Sequence, residues 1–185
     1  MVEFPQGGAV LALDPATRTG FAFGRPDGKP EIGSVAFGRE HDVLADCYGR
    51  AVRWWRTCVW SRRAHALVIE PPIPPGELWG KSNYQSTQRI HGLHAIFIGL
   101  ASEAKMVVLE APTQTWRKYF LGDGRMKREQ AKLAAVRLCR ALKWGDPLTL
   151  DDNAADAAGM WAYGCAKLAP TKALRVEPLF LGGAR

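Results

Sequence analysis

Cysteine is scarce in this chain. Cys47, Cys58, Cys139 and Cys165 are the four present in 185 residues, and they form neither a Cys-x-x-Cys pair nor a zinc-like spacing. Scattered in this way they read as reduced core thiols, which argues against a disulfide framework and against zinc. Long hydrophobic runs are missing too, none nearing the roughly 20 residues needed to span a bilayer, so no membrane protein is expected. The opening MVEFPQGG has neither the basic segment nor the apolar core of a signal peptide, and a cytoplasmic location is the expectation. Repeats, low-complexity tracts and clear linkers are absent. The reading is therefore one domain over residues 1–170, with a C-terminal arm over 171–185 where structural signals fade.

Negative charge is also in short supply: 18 acidic residues face 25 lysines and arginines, a net charge of +7. Basic proteins of this size often meet polyanions, because neutralising phosphates supplies most non-specific nucleic-acid affinity. A hydrophobic share of 47% with 23% charged residues is otherwise the balance of an ordinary globular domain.

Five short apolar runs read as strands: Val10 to Asp14, Gly20 to Phe23, Gly33 to Phe37, Ala66 to Glu70 and Met106 to Glu110. The first two are joined by PATRT, a turn-forming stretch. Helical spacing marks His41 to about Trp60, Ser82 to Lys105, the basic segment Met126 to Leu142, and the more apolar Asp151 to Leu168. Strands first, then strand–helix alternation, imply an α/β domain with a mixed five-stranded sheet flanked by helices.

Three of the strand candidates end in a carboxylate: Asp14, Glu70 and Glu110. Burying an ionised acid costs several kcal/mol unless it is paired or bound to a metal. If the first and fourth runs are sheet neighbours, Asp14 and Glu70 stand roughly 5 Å apart at backbone level. Two carboxylates that close stay ionised only with a cation between them. Asp152 and Asp156, four apart, project from one helical face, with Asn153 bordering it. Asp151 suits the helix N-cap, and Glu110 suits a solvated strand end. Carboxylates converging from two strands and a helix make an oxygen-rich site for magnesium or manganese. Two such ions about 4 Å apart activate water and stabilise the leaving oxygen in phosphodiester hydrolysis.

The stretches LALDPATRTGFAFG, LVIEPP, APTQTWRKYFLGDGRMKREQ and DDNAADAAGMWAYG, in that order along the chain, resemble the motifs of the RuvC-type Holliday junction resolvases. The resemblance runs from about Val10 to Gly164. It implies a ribonuclease H-like fold and a homodimer that cuts four-way or otherwise branched DNA with Mg2+, or Mn2+ in its place, leaving a 5′-phosphate and a 3′-hydroxyl. On this resemblance Asp14 bridges the metals, Glu70 and Asp156 are ligands, and Lys127 lies near the scissile phosphate. The chain departs from the family where an aspartate or histidine normally precedes the last acid by three residues; Asn153 stands there. Either Asp152 or the carbonyl of Asn153 then completes the ligand set. The segment PPIPPGELWGKSNYQST is longer than the family leads one to expect, and Trp79 or Tyr84 in it could stack at the junction centre.

Other charges fall near these motifs. Arg117, Lys118, Arg125, Lys127, Arg128 and Lys132 are candidate phosphate contacts. The arginines of GRAVRWWRTCVWSRR read as a solvated face and its tryptophans as core. His91 and His94, one turn apart, read as packing or dimer-interface residues, because no third metal ligand is evident nearby. Rival readings are another nuclease of the same fold acting on RNA–DNA hybrids or as a loosely specific debranching enzyme, an inactive junction-binding module, and an actin-like ATP-binding protein. The last needs a second domain for which the chain has little room.

Overall fold

The computed structural model describes residues 4–39, 42–72, 84–174 and 176. The chain opens with three antiparallel strands, β1 (Ala9–Asp14), β2 (Arg18–Gly24) and β3 (Glu31–Ala36). Helix α1 (Leu44–Trp54) then leads to β4 (Ala64–Ile69), α2 (Tyr84–Glu103) leads to β5 (Val107–Glu110), and α3 (Thr113–Leu121), α4 (Arg128–Ala141) and α5 (Asp152–Leu168) follow. Among the described residues the sheet has five strands in the order β3-β2-β1-β4-β5, with β4 parallel to both β1 and β5. This is the mixed, helix-flanked sheet expected from the strand pattern. No described helix is long and apolar enough to cross a membrane.

Strand alternation divides the core in two. Leu11, Leu13, Leu67 and Ile69 face one cluster with Cys47, Trp55, Leu93 and Phe97 from the α1–α2 side. Val10, Ala12, Ala66 and Val68 face the other, with Trp116, Phe120, Leu138 and the buried face of α5. Helix α5 is buried along almost its whole length and lies very close to the sheet. A methyl group added at Gly164 would come within 2.2 Å of Val68 Cγ2.

The helix expected to reach Trp60 ends as an α-helix at Trp54. Its backbone then widens into a π-helical turn over Trp55–Val59 and tightens into a 3-10 turn over Trp60–Arg62. The inserted residue shifts the helical phase. Consecutive Trp54 and Trp55 both lie against Phe97, while Trp60 is left exposed. Helix α3 was not legible as a helix, although its limits carry ordinary signals: Pro112 stands at the N-cap and Gly122, at φ 86°, terminates it. Cys47, Cys139 and Cys165 are buried and Cys58 partly so, all of them free thiols. Beyond α5 the backbone N–H of Leu174 donates to the carbonyl of Pro26 at 3.0 Å and Val176 is buried, while residues 175 and 177–185 of the expected arm lie outside the described residues.

Candidate active site

Register decides which acids meet. Leu13 pairs with Ile69 across β1 and β4, so the next residues, Asp14 and Glu70, stand side by side; the N–H of Glu70 donates to the carbonyl of Leu13 at 3.3 Å. Asp14 continues the alternation of Val10 and Ala12, and Glu70 that of Ala66 and Val68, toward α5. Glu110 pairs with Ile69 and therefore belongs to the opposite face. There its carboxylate lies beside α2, with His94 Nε2 3.2 Å from Glu110 Oε1. The reading of Glu110 as a solvated strand end agrees with its half-exposed side chain.

The third acid comes from α5, and a glycine lets it come close. Gly20 is the register partner of Asp14 on β2. A Cβ there would sit 1.9 Å from the carbonyl oxygen of Asn153, so only glycine allows the first turn of α5 to lie against this part of the sheet. Asp151 caps the helix, accepting from the N–H of Ala154 at 2.8 Å and from Ser34 Oγ at 2.5 Å. That leaves Asp152 and Asp156 to face the strand ends. The turn after Asp14 is held by Thr19, whose hydroxyl donates to the carbonyl of Ala16 at 2.8 Å, and by the buried Arg89 of α2, which donates to Thr17 Oγ1 at 3.3 Å.

The charges show that four acids share one place. Burial raises Asp14 above the usual carboxylate range, Glu70 and Arg117 pull it back down, and Asp152 pushes it up again. Glu70 is raised by burial and then by repulsion from Asp14 and Asp156, while Thr113 Oγ1 donates to its Oε1 and favours the ionised form. Asp156, 8% exposed, is pushed up to about 7, by burial first and then by Asp14. Asp152 alone lies below its ordinary value, because Lys132 Nζ is 2.5 Å from its Oδ2. The cations acting on the cluster are Arg117, whose Nη2 lies 3.9 Å from Asp156 Oδ2, and Lys132.

Such a cluster fits a hard divalent ion. All four side chains offer oxygen, and Asp156 Oδ1 is buried with no hydrogen-bond partner among the described residues. Their mutual repulsion, which raises three of the four, is what a cation would relieve. No three ligating side chains are already drawn around one point as a closed cage among the described residues. Asp152 is turned to Lys132 instead. Asn153 contributes the backbone carbonyl that meets Gly20.

The residues expected to touch phosphate divide into two sets. Arg117 and Lys132 lie within reach of the acids, their side chains 14% and 26% exposed. Lys118, Arg125, Lys127 and Arg128 are exposed. Lys127 stands at the N-cap of α4 and, with Arg125, Gln130 and Arg137, borders an open hollow of about 440 Å³ that none of the four acids lines. Tyr84 is 75% exposed at the start of α2, and Trp79 lies outside the described residues. Thr113 and Arg89 were not singled out in the sequence. Thr113 had a signal, since it follows Pro112 in a recognisable motif, whereas nothing local marks Arg89 as buried.

No protein-family profile matches the sequence, and no curated protein matches it. Solved structures do match the fold. RuvC of T. thermophilus in complex with a Holliday junction substrate superposes with a TM-score of 0.65 at 15% identity, covering 87% of this chain and 97% of that one. A second Thermus thermophilus RuvC structure gives 0.61 at 16% identity, covering 88% and 97%. The yeast mitochondrial Holliday junction resolvase Ydc2 gives 0.61 at 13% identity, covering 92% and 83%. The chain therefore has a ribonuclease H-like fold, carrying acids at the strand ends. More particularly, it is the arrangement of that fold found in RuvC.

Proposed function

We infer that this protein is a metal-dependent endonuclease that resolves four-way or similarly branched DNA junctions. The observation that carries the reading is the meeting of Asp14, Glu70 and Asp156, three acids from distant parts of the chain, at the C-terminal ends of the inner strands β1 and β4, where burial and repulsion raise the proton affinity of all three. The RuvC-like arrangement of strands and helices around them supports the choice of junction DNA over other phosphodiesters.

In this reading Asp14, Glu70, Asp152 and Asp156 hold Mg2+ or Mn2+, with Asn153 the alternative to Asp152. When bound, the metal supplies an activated water and charge stabilisation for phosphodiester hydrolysis. The chain's own residues do the rest. Thr113 donates to Glu70 Oε1, orienting it and offsetting part of the burial and repulsion that raise it. Arg117 keeps a positive charge beneath the acids, limiting their repulsion before substrate arrives. The exposed Lys118, Arg125, Lys127 and Arg128 meet DNA phosphates, and Lys127, at the end of a flexible stem, neutralises charge near the cleaved bond. Tyr84, exposed at the start of α2, and Trp79 stack on bases opened at the junction centre. A four-way junction is two-fold symmetric and needs two symmetric cuts, so the working unit is a homodimer.

The test is a substrate panel in Mg2+: a synthetic four-way junction, a flap, plain duplex and an RNA–DNA hybrid. Paired nicks in the junction, lost in Asp14→Asn and Glu70→Gln, are expected. Preference for the hybrid would reassign the protein to another nuclease of the same fold. Tight junction binding without cleavage by the wild type would make it a binding module.

A further inference from the structure

The four acids are not equivalent toward a cation. Asp14, Glu70 and Asp156 form one group, in which Asp156 Oδ1 has no hydrogen-bond partner among the described residues and Arg117 stays 3.9 Å from Oδ2. Asp152 is different. It begins α5, its side chain is 35% exposed, and Lys132 Nζ lies 2.5 Å from its Oδ2. Lys132 does not arrive there by chance of a mobile surface chain. Its neighbours Ala131, Ala134 and Ala135 are buried against the core, so α4 is seated firmly and the lysine stem is only 26% exposed. Asp152 nonetheless belongs to the cluster, since its charge acts on both Asp14 and Asp156.

We propose that Lys132 is a tethered competitor for divalent cations at Asp152: it leaves the Asp14–Glu70–Asp156 position open and guards the one that needs Asp152, so the two metal positions fill in order. The proposal rests on the metal-nuclease reading above. An ammonium on Asp152 Oδ2 competes with a metal ion for the same carboxylate, because it takes up acceptor lone pairs and the two positive charges repel. Displacing Lys132 also has a consequence. It frees an ammonium beside the site, where the phosphate of a bound strand can take it.

Calorimetric titration of the intact protein with Mn2+, without DNA, tests this. Wild type is expected to show one stronger and one weaker binding event. Lys132→Met and Lys132→Gln should tighten the weaker event by about two- to fivefold, the worth of one partly exposed ion pair, or reveal it where wild type shows only the stronger one. Lys132→Arg should leave both events as in wild type. Arg140→Met, which removes a charge from the far end of the same helix, controls for net charge and should change neither. Unchanged or weakened second binding in both Lys132→Met and Lys132→Gln, with thermal melts confirming their fold, would overturn the proposal and leave the nuclease reading standing. No Mn2+ binding by wild type would overturn both.

Discussion

Replacing Asp156 with asparagine should stabilise the metal-free protein at pH 8 while removing its response to magnesium. In the folded chain Asp156 keeps its proton up to about pH 7, against 3.8 for the ordinary side chain. Between those values the folded state binds more protons than the unfolded one, so the metal-free protein loses stability as pH rises through this window. About three pH units at 1.36 kcal/mol each put the cost of ionising Asp156 by pH 8 at ~4 kcal/mol. Asparagine removes the charge but leaves a buried amide with few partners, at a cost of about 1–3 kcal/mol. The net gain is about 1–3 kcal/mol, a rise in melting temperature of roughly 3–10 °C for a domain of this size. Thermal melts in chelator at pH 5 and pH 8 read it directly. The gain should appear at pH 8 and vanish at pH 5, where wild-type Asp156 is already neutral. Added Mg2+ should stabilise wild type and leave Asp156→Asn unmoved. A variant equally destabilised at both pH values would refute the argument that Asp156 is held under electrostatic strain.

Three further outcomes follow from the same geometry. Gly20→Ala places a methyl group on the carbonyl oxygen of Asn153 and should cost several kcal/mol, seen as a collapse of the melting temperature and of cleavage together. Glu110→Gln removes a half-exposed carboxylate that lies beside His94 on the far face of the sheet, so cleavage should be unchanged and stability should fall by no more than about 1 kcal/mol. Thr113→Val removes the hydrogen bond that favours ionised Glu70, and since the active form needs that carboxylate ionised, the acidic limb of the pH–rate profile should move to higher pH.

Much of the fold was legible because its strands are short apolar runs bounded by turn residues and its later helices carry a clear period. The acids were legible for a physical reason as well: a carboxylate ending a buried strand is costly, and three such strands invite a cation. Which way each acid faces was not legible. Glu110 looks like Asp14 and Glu70 in the sequence, yet its pairing with Ile69 puts it one residue out of phase with them. Register is a property of two strands together and is written in neither alone. The roles of Arg117 and Lys132 escaped for a similar reason. As basic residues in a basic segment they read as a phosphate-binding surface, and only the packing of α3 and α4 against α5 brings them to the acids. The glycine after Thr19 was visible as part of a motif, but its cause is steric and lies about 130 residues further along the chain, at Asn153.

The most direct measurement is anomalous diffraction from crystals of this protein soaked in Mn2+. The account predicts a peak within direct coordination distance of Asp14 and Asp156, with Glu70 beside it and a second, weaker peak at Asp152. A structure in which manganese binds elsewhere, or leaves these acids bare at concentrations that support nuclease assays, would contradict it.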